Sequence, residues 1–388
     1  MKNAIKKPKI LIIDDDNVSI QIIKNSLEEF GFDVIAFNDS VKGYNFLIQK
    51  PDECECLILD LVMPEMDGFN FIESLKKNYP KIIIPIIISS ANQDLESIKK
   101  TLDLGAYDYF TKPLTDDDLK IMLPKKVKNA VQFTRMQREI IIQNEKMKRD
   151  LSLANQFMLK MLPSKSNYRY NFYYKYLPYN EIGGDFIDLI EKDDGFIILI
   201  ADVSGHGASA ALISSFLKAE FQRYFNFQKD IQKFINYLNA EFINNFGDTY
   251  FCTIFIANFS EKNRELNYVN AGHPPPILCV EGKPIFLNTT GSIVGVIEHS
   301  FFYSKSLKLK ENAKLICYTD GMYEFWLEEK DEIFGLQRLL KVICNIYNDL
   351  NKKNSFSIEK LVENCFNYLN YYSKGEYGDD LLMFVINL

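Results

Sequence analysis

The chain lacks any long apolar run. The apolar run near its N-terminus, residues 10–13, is stopped at once by three aspartates. A membrane helix needs roughly 20 apolar residues, and a signal peptide needs a longer apolar core than this, so the expectation is a cytoplasmic protein with no membrane partner. An excess of positive charge is also missing. Lysine and arginine total 45 against 52 acidic residues, for a net charge of -7. That argues against a nucleic-acid-binding output, which presents a basic face. Metal-spaced cysteines are absent as well. The seven cysteines are scattered; only Cys54 and Cys56 lie close together, and a lone C-x-C is not a zinc spacing. They read as reduced thiols, mostly in cores. No internal repeat or low-complexity tract stands out.

What is present suggests more than one core. At 388 residues the chain exceeds one ordinary domain. Residues 8–124 alternate apolar runs (9–13, 34–37, 57–59, 82–88, 107–110) with amphipathic segments (18–30, 41–48, 68–78, 94–104, 116–123). That alternation predicts a parallel, doubly wound α/β sheet. Functional groups gather at the carboxyl ends of such strands. Here those ends carry Asp14, Asp15, Asp16, Asp60, Ser89, Ser90, Thr111 and Lys112.

Residues 125–162 hold neither glycine nor proline. Phe133, Ile140, Met147, Ala154 and Met161 recur every seventh position, with Ala130, Gln137, Asn144, Leu151 and Met158 as a companion seam. The pattern predicts a long helix forming a dimeric coiled coil. Residues 163–388 mix strand-like runs (196–201, 250–259, 266–270, 314–318, 382–386) with helical ones (208–225, 231–245, 336–348, 357–371). This predicts an α+β domain with much antiparallel sheet.

Two groups of residues carry chemistry. In the first, Asp14, Asp15 and Asp60 repel one another if apposed, and an oxygen-rich pocket of that kind suits magnesium. A carboxylate beside the ion can act as a nucleophile and form an aspartyl-phosphate. The segments ILIIDDD, LILDLVMPEMDG and DYFTKPL, with Ser89–Ser90–Ala91 after the fourth strand, resemble the receiver domain of response regulators. The resemblance implies a five-stranded flavodoxin-like fold and phosphorylation of Asp60 by a sensor histidine kinase. It assigns Mg2+ to Asp14, Asp15, Asp60 and the carbonyl of Val62. Ser90, Tyr109 and Lys112 would form the phosphate-sensing switch.

In the second group, aspartates stand beside glycines in four tight turns: Gly183–Gly184–Asp185, Asp202–Val203–Ser204–Gly205, Asp320–Gly321 and Gly378–Asp379–Asp380. Converging, they would line an oxygen site for two divalent ions roughly 3.5–4 Å apart, which acidify a water and neutralise a phosphoryl group. EIGGDFIDL, ADVSGHGASAAL, NAGHPPPIL, YTDGMYE and GDD resemble, in order, the bacterial branch of the PPM (protein phosphatase 2C-like) family, the stage II sporulation and sigma-regulatory phosphatases. The resemblance implies an α/β/β/α sandwich with two antiparallel sheets flanked by helices. It also implies two Mn2+ or Mg2+ ions and hydrolysis of phosphoserine or phosphothreonine on an antagonist of an anti-sigma factor. Asp185 would bridge the ions, Asp202 and the Val203 carbonyl would hold the first, and Asp320 and Asp379 the second, with Asp380 as a substitute for Asp379. Leu382 stands where the family usually has serine or threonine, and Trp326 where it usually has a smaller residue. His206 and His273 read as structural.

Three rival readings remain for this half. Gly183–Gly184–Asp185–Phe186 resembles part of a diguanylate cyclase signature but lacks its glutamate. A DNA-binding output lacks a basic recognition element. A non-catalytic module that binds a partner once Asp60 is phosphorylated is the main alternative, and the four intact aspartates argue against it.

Overall fold

The computed structural model describes residues 7–91, 95–180, 182–205, 207–327, 331–353 and 355–388. The chain divides into two compact units, Met1–Lys146 and Met147–Leu388. No helix among the described residues is long and apolar enough to cross a membrane.

In the first unit the elements run β1 (Lys9–Ile13), α1 (Asn17–Glu29), β2 (Asp33–Phe37), α2 (Ser40–Gln49), β3 (Cys56–Asp60), α3 (Gly68–Asn78), β4 (Ile86–Ser90), α4 (Leu95–Asp103), β5 (Asp108–Thr111) and the start of α5 (Leu123–Met161). The strands form one parallel sheet in the order β2-β1-β3-β4-β5. Side chains alternate across a strand, and β1 shows the result. Ile10 and Ile12 pack with Ile23, Leu27 and Val127 on one face. Leu11 and Ile13 pack with Leu47, Phe71 and Ile72 on the other. Both faces are buried, so the strands read as unbroken apolar runs. Aspartates start the helices: Asp16 accepts from the Val18 and Ser19 N–H groups, Asp39 from Lys42 and Asp67 from Asn70.

Two expectations shift. The strand expected over 82–88 begins only at Ile86, after Pro85, which has no N–H to give to a ladder. The helices expected separately at 116–123 and 125–162 are one. A π-turn at Asp118–Met122 leads straight into α5, a helix of 39 residues. The turn ends two residues before Pro124, whose ring disturbs regular α-helical bonding in the turn before it.

The second unit continues with β6 (Phe172–Leu177), β7 (Phe186–Lys192), β8 (Gly195–Val203), α6 (Ala208–Phe227), α7 (Ile231–Phe246), β9 (Cys252–Ser260), β10 (Glu265–Ala271), β11 (Ile277–Val280), β12 (Lys283–Phe286), β13 (Lys305–Lys308), β14 (Lys314–Tyr318), β15 (Trp326–Leu327), β16 (Glu332–Ile333), α8 (Leu336–Lys352), α9 (Ile358–Ser373) and β17 (Leu381–Asn387). Two five-stranded antiparallel sheets result, β13-β10-β9-β8-β7 and β12-β11-β14-β17-β6, beside the small β15-β16 hairpin. Alternation along β17 explains the layering. Leu382, Phe384 and Ile386 join the core that holds the first sheet and α6–α7. Leu381, Met383 and Val385 join the core under α8 and α9. The unit is thus an α/β/β/α sandwich. Exposed β12 and largely exposed β13 were not foreseen, because edge strands open to water carry no apolar alternation.

The seam on α5 is partly used within the chain. Ala130 is buried beside Val127 and Val131 in the first unit's core. Within the second unit Met158 packs with Ile182 and Ala211, and Leu151, Ala154 and Met161 lie against them. Lys218 donates to the Met161 carbonyl at 2.7 Å, a cation at a helix C-terminus. Between these ends Ile140 and Met147 are exposed by 49% and 64%.

Candidate active site and receiver pocket

In the first unit Asp14 follows β1, Asp60 ends β3, Ser90 ends β4 and Lys112 follows β5. Parallel register brings these ends to one edge, with Asp60 opposite Ser89 and Ser90 opposite Thr111. Lys112 Nζ donates to Asp14 Oδ2 at 2.7 Å and to Asp60 Oδ1 at 2.6 Å. The Val62 N–H donates to Asp60 Oδ2 at 2.8 Å. Burial raises the Asp60 carboxyl above the usual carboxylate range, against the pull of Lys112. Burial also lowers the Lys112 ammonium, but bonds to Asp14 and Asp60 outweigh it and its net shift is upward. Asp14 and Ser90 are buried, while Asp15 and Val62 are exposed at the rim. Tyr109 is half-buried, with the Lys126 ammonium 5.7 Å from its ring centre.

In the second unit four loops meet at one end of the sandwich. Asp185 stands just before β7, Asp202 near the end of β8 opposite Thr253, Asp320 just after β14, and Asp379 just before β17. Glycine allows the loops to close. A Cβ on Gly184 would stand 2.6 Å from the Val203 carbonyl oxygen, and one on Gly321 would collide with the Asp380 carbonyl. The carboxylates feel one another. Asp185 is raised well above its usual range by burial, then by Asp202 and Asp380. Asp202 is raised to about 8 by burial, then by Asp320 and Asp379. Asp320 is raised to about 6 by burial, then by Asp379 and Glu324.

Among the described residues no group of three or more acidic, histidine or cysteine side chains is drawn together closely enough to hold one ion as it stands. The donor chemistry nonetheless fits a divalent ion: hard carboxylate oxygens from four loops, graded from the buried Asp185 to the exposed Asp379, that repel unless a cation joins them. No ion pair found among the described residues involves Asp185, Asp202, Asp320 or Asp379, in contrast to the first unit's pocket.

Asp379 and Asp380 have different surroundings. Asp380 accepts from the backbone N–H of Tyr179 at 2.7 Å, Gly184 at 2.5 Å and Asp185 at 3.3 Å. Its carboxylate therefore braces the Gly184–Asp185 loop. Asp379 accepts only the neighbouring Asp380 N–H among the bonds of the described residues. Thr319, buried and not singled out from the sequence, donates to Asp185 Oδ2 at 2.6 Å and accepts the Leu382 N–H at 3.1 Å. Leu382 itself faces the core, so only its backbone reaches the site. Glu324 closes the YTDGMYE segment but was given no role from the sequence; it adds negative potential at Asp202 and Asp320.

His273 is buried; its Nδ1 lies 2.9 Å from Thr253 Oγ1 and its backbone N–H donates to Asn270 Oδ1. Burial drives its pKa down to about 3, so the ring is neutral. His206 lies outside the described residues. Thr319 orients Asp185; on the reading that Asp185 holds a divalent ion, Thr319→Val is expected to weaken Mn2+ binding about 10–100-fold, the usual cost of losing a hydrogen bond that orients a ligand. Calorimetric titration of the folded variant measures this, and unchanged affinity would remove the role.

Comparison with known proteins yields matches for both units. Residues 192–388 match the family described as stage II sporulation protein E (SpoIIE), and residues 10–124 match the response regulator receiver domain. Phosphoserine phosphatase RsbP of Bacillus subtilis is 32% identical over 151 residues, 37% of this chain and 38% of that protein. An NtrX-like response regulator of Rickettsia bellii is 35% identical over 132 residues, covering 34% of this chain and 26% of that one. The chain thus spans about a quarter to two fifths of the length of these relatives. Among solved structures, the SiaA-PP2C domain of Pseudomonas aeruginosa superposes with a TM-score of 0.56 at 16% identity, over 63% of this chain and 98% of that one. At that identity the likeness is one of fold.

Proposed function

Because the chain belongs to the stage II sporulation protein E (SpoIIE) family and carries a response regulator receiver domain ahead of the matched region, we propose that phosphorylation of Asp60 controls a metal-dependent protein serine/threonine phosphatase. The observation that carries this reading is the gathering of Asp185, Asp202, Asp320 and Asp379, far apart in sequence, in one mutually repelling cluster that runs from the buried Asp185 through the half-buried Asp202 and Asp320 to Asp379 at the exposed rim. Asp185 would bridge two Mn2+ or Mg2+ ions, Asp202 and the Val203 carbonyl would hold one, and Asp320 and Asp379 the other. When bound, such ions supply charge neutralisation at the phosphoryl group and acidify water. The chain's own part is to hold the donors: Thr319 orients Asp185, and Asp380 pins the loop behind it. Asp380 is thereby assigned to bracing and Asp379 to the metal. The substrate is a phosphoserine or phosphothreonine protein of the anti-sigma-factor-antagonist type. The similarity to RsbP supports phosphoserine chemistry.

In the receiver, Asp14, Asp15, Asp60 and the Val62 carbonyl would hold Mg2+, with a histidine kinase as phosphodonor. Lys112 and Ser90 then meet the phosphoryl group and Tyr109 responds. The route to the phosphatase is α5. Its end packs Met158 on Ile182, the residue before Gly183–Gly184–Asp185, so a shift of the helix reaches the bridging ligand. Control of this kind requires that the two states differ in such contacts.

The test is Mn2+- or Mg2+-dependent hydrolysis of an aryl phosphate by the full chain, with and without acetyl phosphate. Activity is expected to vanish in Asp320→Asn, and the donor effect to vanish in Asp60→Asn. A silent wild type on aryl phosphate and phosphoprotein alike would favour a binding module.

The exposed middle of the α5 seam supports a homodimer through this helix, since a heptad seam left in water is stabilised by a second copy. Ile140→Glu combined with Met147→Glu is expected to halve the apparent mass in sedimentation. A wild-type monomer would end this reading.

A further inference from the structure

A groove enclosing about 980 Å³ lies between the β15-β16 hairpin and the C-terminal end of α9. Its floor is fixed: Phe325 stacks on Phe334 with centroids 4.8 Å apart and meets Tyr377 edge-on at 6.0 Å. Its walls are open. Trp326 is 54% exposed, Ile333 53% and Tyr371 79%. Isolated exposed apolar residues are ordinary, but large ones gathered round one cavity mark a binding surface. Aromatic walls on a fixed floor offer much contact area with few rotatable bonds to immobilise.

The groove is lined by residues that adjoin two of the cluster's loops. Glu324 lines it and also raises the negative potential at Asp202 and Asp320. Gly378 lines it and directly precedes Asp379. A chain segment whose phosphorylated side chain enters the cluster therefore has its neighbouring residues over the groove, since an extended chain advances about 3.3 Å per residue. Among the described residues lining the groove, Glu324 and Glu376 outnumber the one cation, Lys374, so the charge balance does not favour acidic neighbours, while the aromatic walls match an apolar one.

We propose that this groove docks an aromatic or branched apolar side chain that the phosphoprotein substrate carries within a few residues of its phosphorylated serine or threonine. The inference rests on the phosphatase reading and deepens it by naming a determinant of substrate choice. It also gives Trp326, which departs from the family pattern, a role: it is the chain's single tryptophan and it lines the groove.

The probes are synthetic nine-residue phosphoserine peptides in an alanine–glycine background, with one phenylalanine moved through the flanking positions, and an all-alanine control. With the full chain and Mn2+, phenylalanine at one or two neighbouring positions is expected to raise kcat/KM at least fivefold over the control, through KM. The favoured peptide, titrated into metal-free protein, is expected to shift Trp326 emission to the blue and saturate. In Trp326→Ala and, separately, Tyr371→Ala, the preference for that peptide over the control is expected to fall below twofold. A flat positional profile, or a preference that survives both substitutions, overturns the docking proposal while hydrolysis of the aryl phosphate leaves the phosphatase reading standing. Silence on every peptide and on the aryl phosphate overturns both.

Discussion

Asp202→Asn is expected to lower kcat/KM for phosphoserine peptides by at least about 100-fold and, at the same time, to raise the melting temperature of the metal-free protein. Both effects have one cause. Asp202 sits near the end of β8, held in register opposite Thr253 by the middle of a five-stranded sheet, so it cannot swing away from its neighbours. Burial and the carboxylates of Asp320 and Asp379 push its pKa up to about 8. Asparagine keeps the shape and one oxygen but removes the charge that would bind an ion. A 100-fold loss corresponds to about 2.7 kcal/mol of transition-state stabilisation. Without metal, that same charge only repels, so its removal stabilises, and more so at pH 9 than at pH 7, where the wild-type group is mostly protonated already. Steady-state kinetics and thermal unfolding on one preparation test the pair. Retained turnover would exclude Asp202 as a ligand; lost turnover with lowered stability would indicate a packing defect.

Without metal, the phosphatase unit is expected to lose stability as pH rises from about 5 to about 8, by on the order of 10 °C in melting temperature. An unfolded aspartate titrates near 3.9. In the folded protein Asp202 is raised to about 8 and Asp320 to about 6. Between those limits the folded state binds more protons than the unfolded one, so stability falls with rising pH. The contribution is full below the unfolded value and is lost through pH 6 for Asp320 and pH 8 for Asp202. Saturating Mn2+ is expected to reverse the trend, because it binds the ionised carboxylates and releases protons. The metal-induced rise should then be larger at pH 8 than at pH 5. The transition that also responds to Asp202→Asn is the one to follow. A flat profile without metal would mean that the carboxylates do not share one buried site.

The receiver illustrates what local pattern reveals. Its strands are apolar on both faces and end on charged or hydroxyl residues, so β1, β3 and the residues Asp14, Asp60 and Lys112 could be placed without coordinates. The second unit was legible through its glycine–aspartate turns. A glycine beside an aspartate after an apolar run is a local signature, although the reason for Gly184 and Gly321, the close approach of the Val203 and Asp380 carbonyls, appears only in the fold. The long α5 was legible too, from its unbroken heptads.

The division between Asp379 and Asp380 was not legible. The two are adjacent and chemically identical, and only the fold brings the Tyr179, Gly184 and Asp185 N–H groups to Asp380 and not to Asp379. Thr319 and Glu324 become part of the site only because β14 pairs with β17 and the chain turns back over it. The heptad seam shows the same limit, since Ala130 and Met158 fit the repeat but are taken by cores that periodicity cannot see. The sequence by itself determined which residue types stand at which turns, and hence the two family resemblances, because turn and strand preferences act over a few residues. The tertiary structure alone decided which carboxylate is braced by backbone N–H groups, which is not, and which apolar face stays open, because hydrogen bonds and burial between distant segments exist only once the sheets have closed.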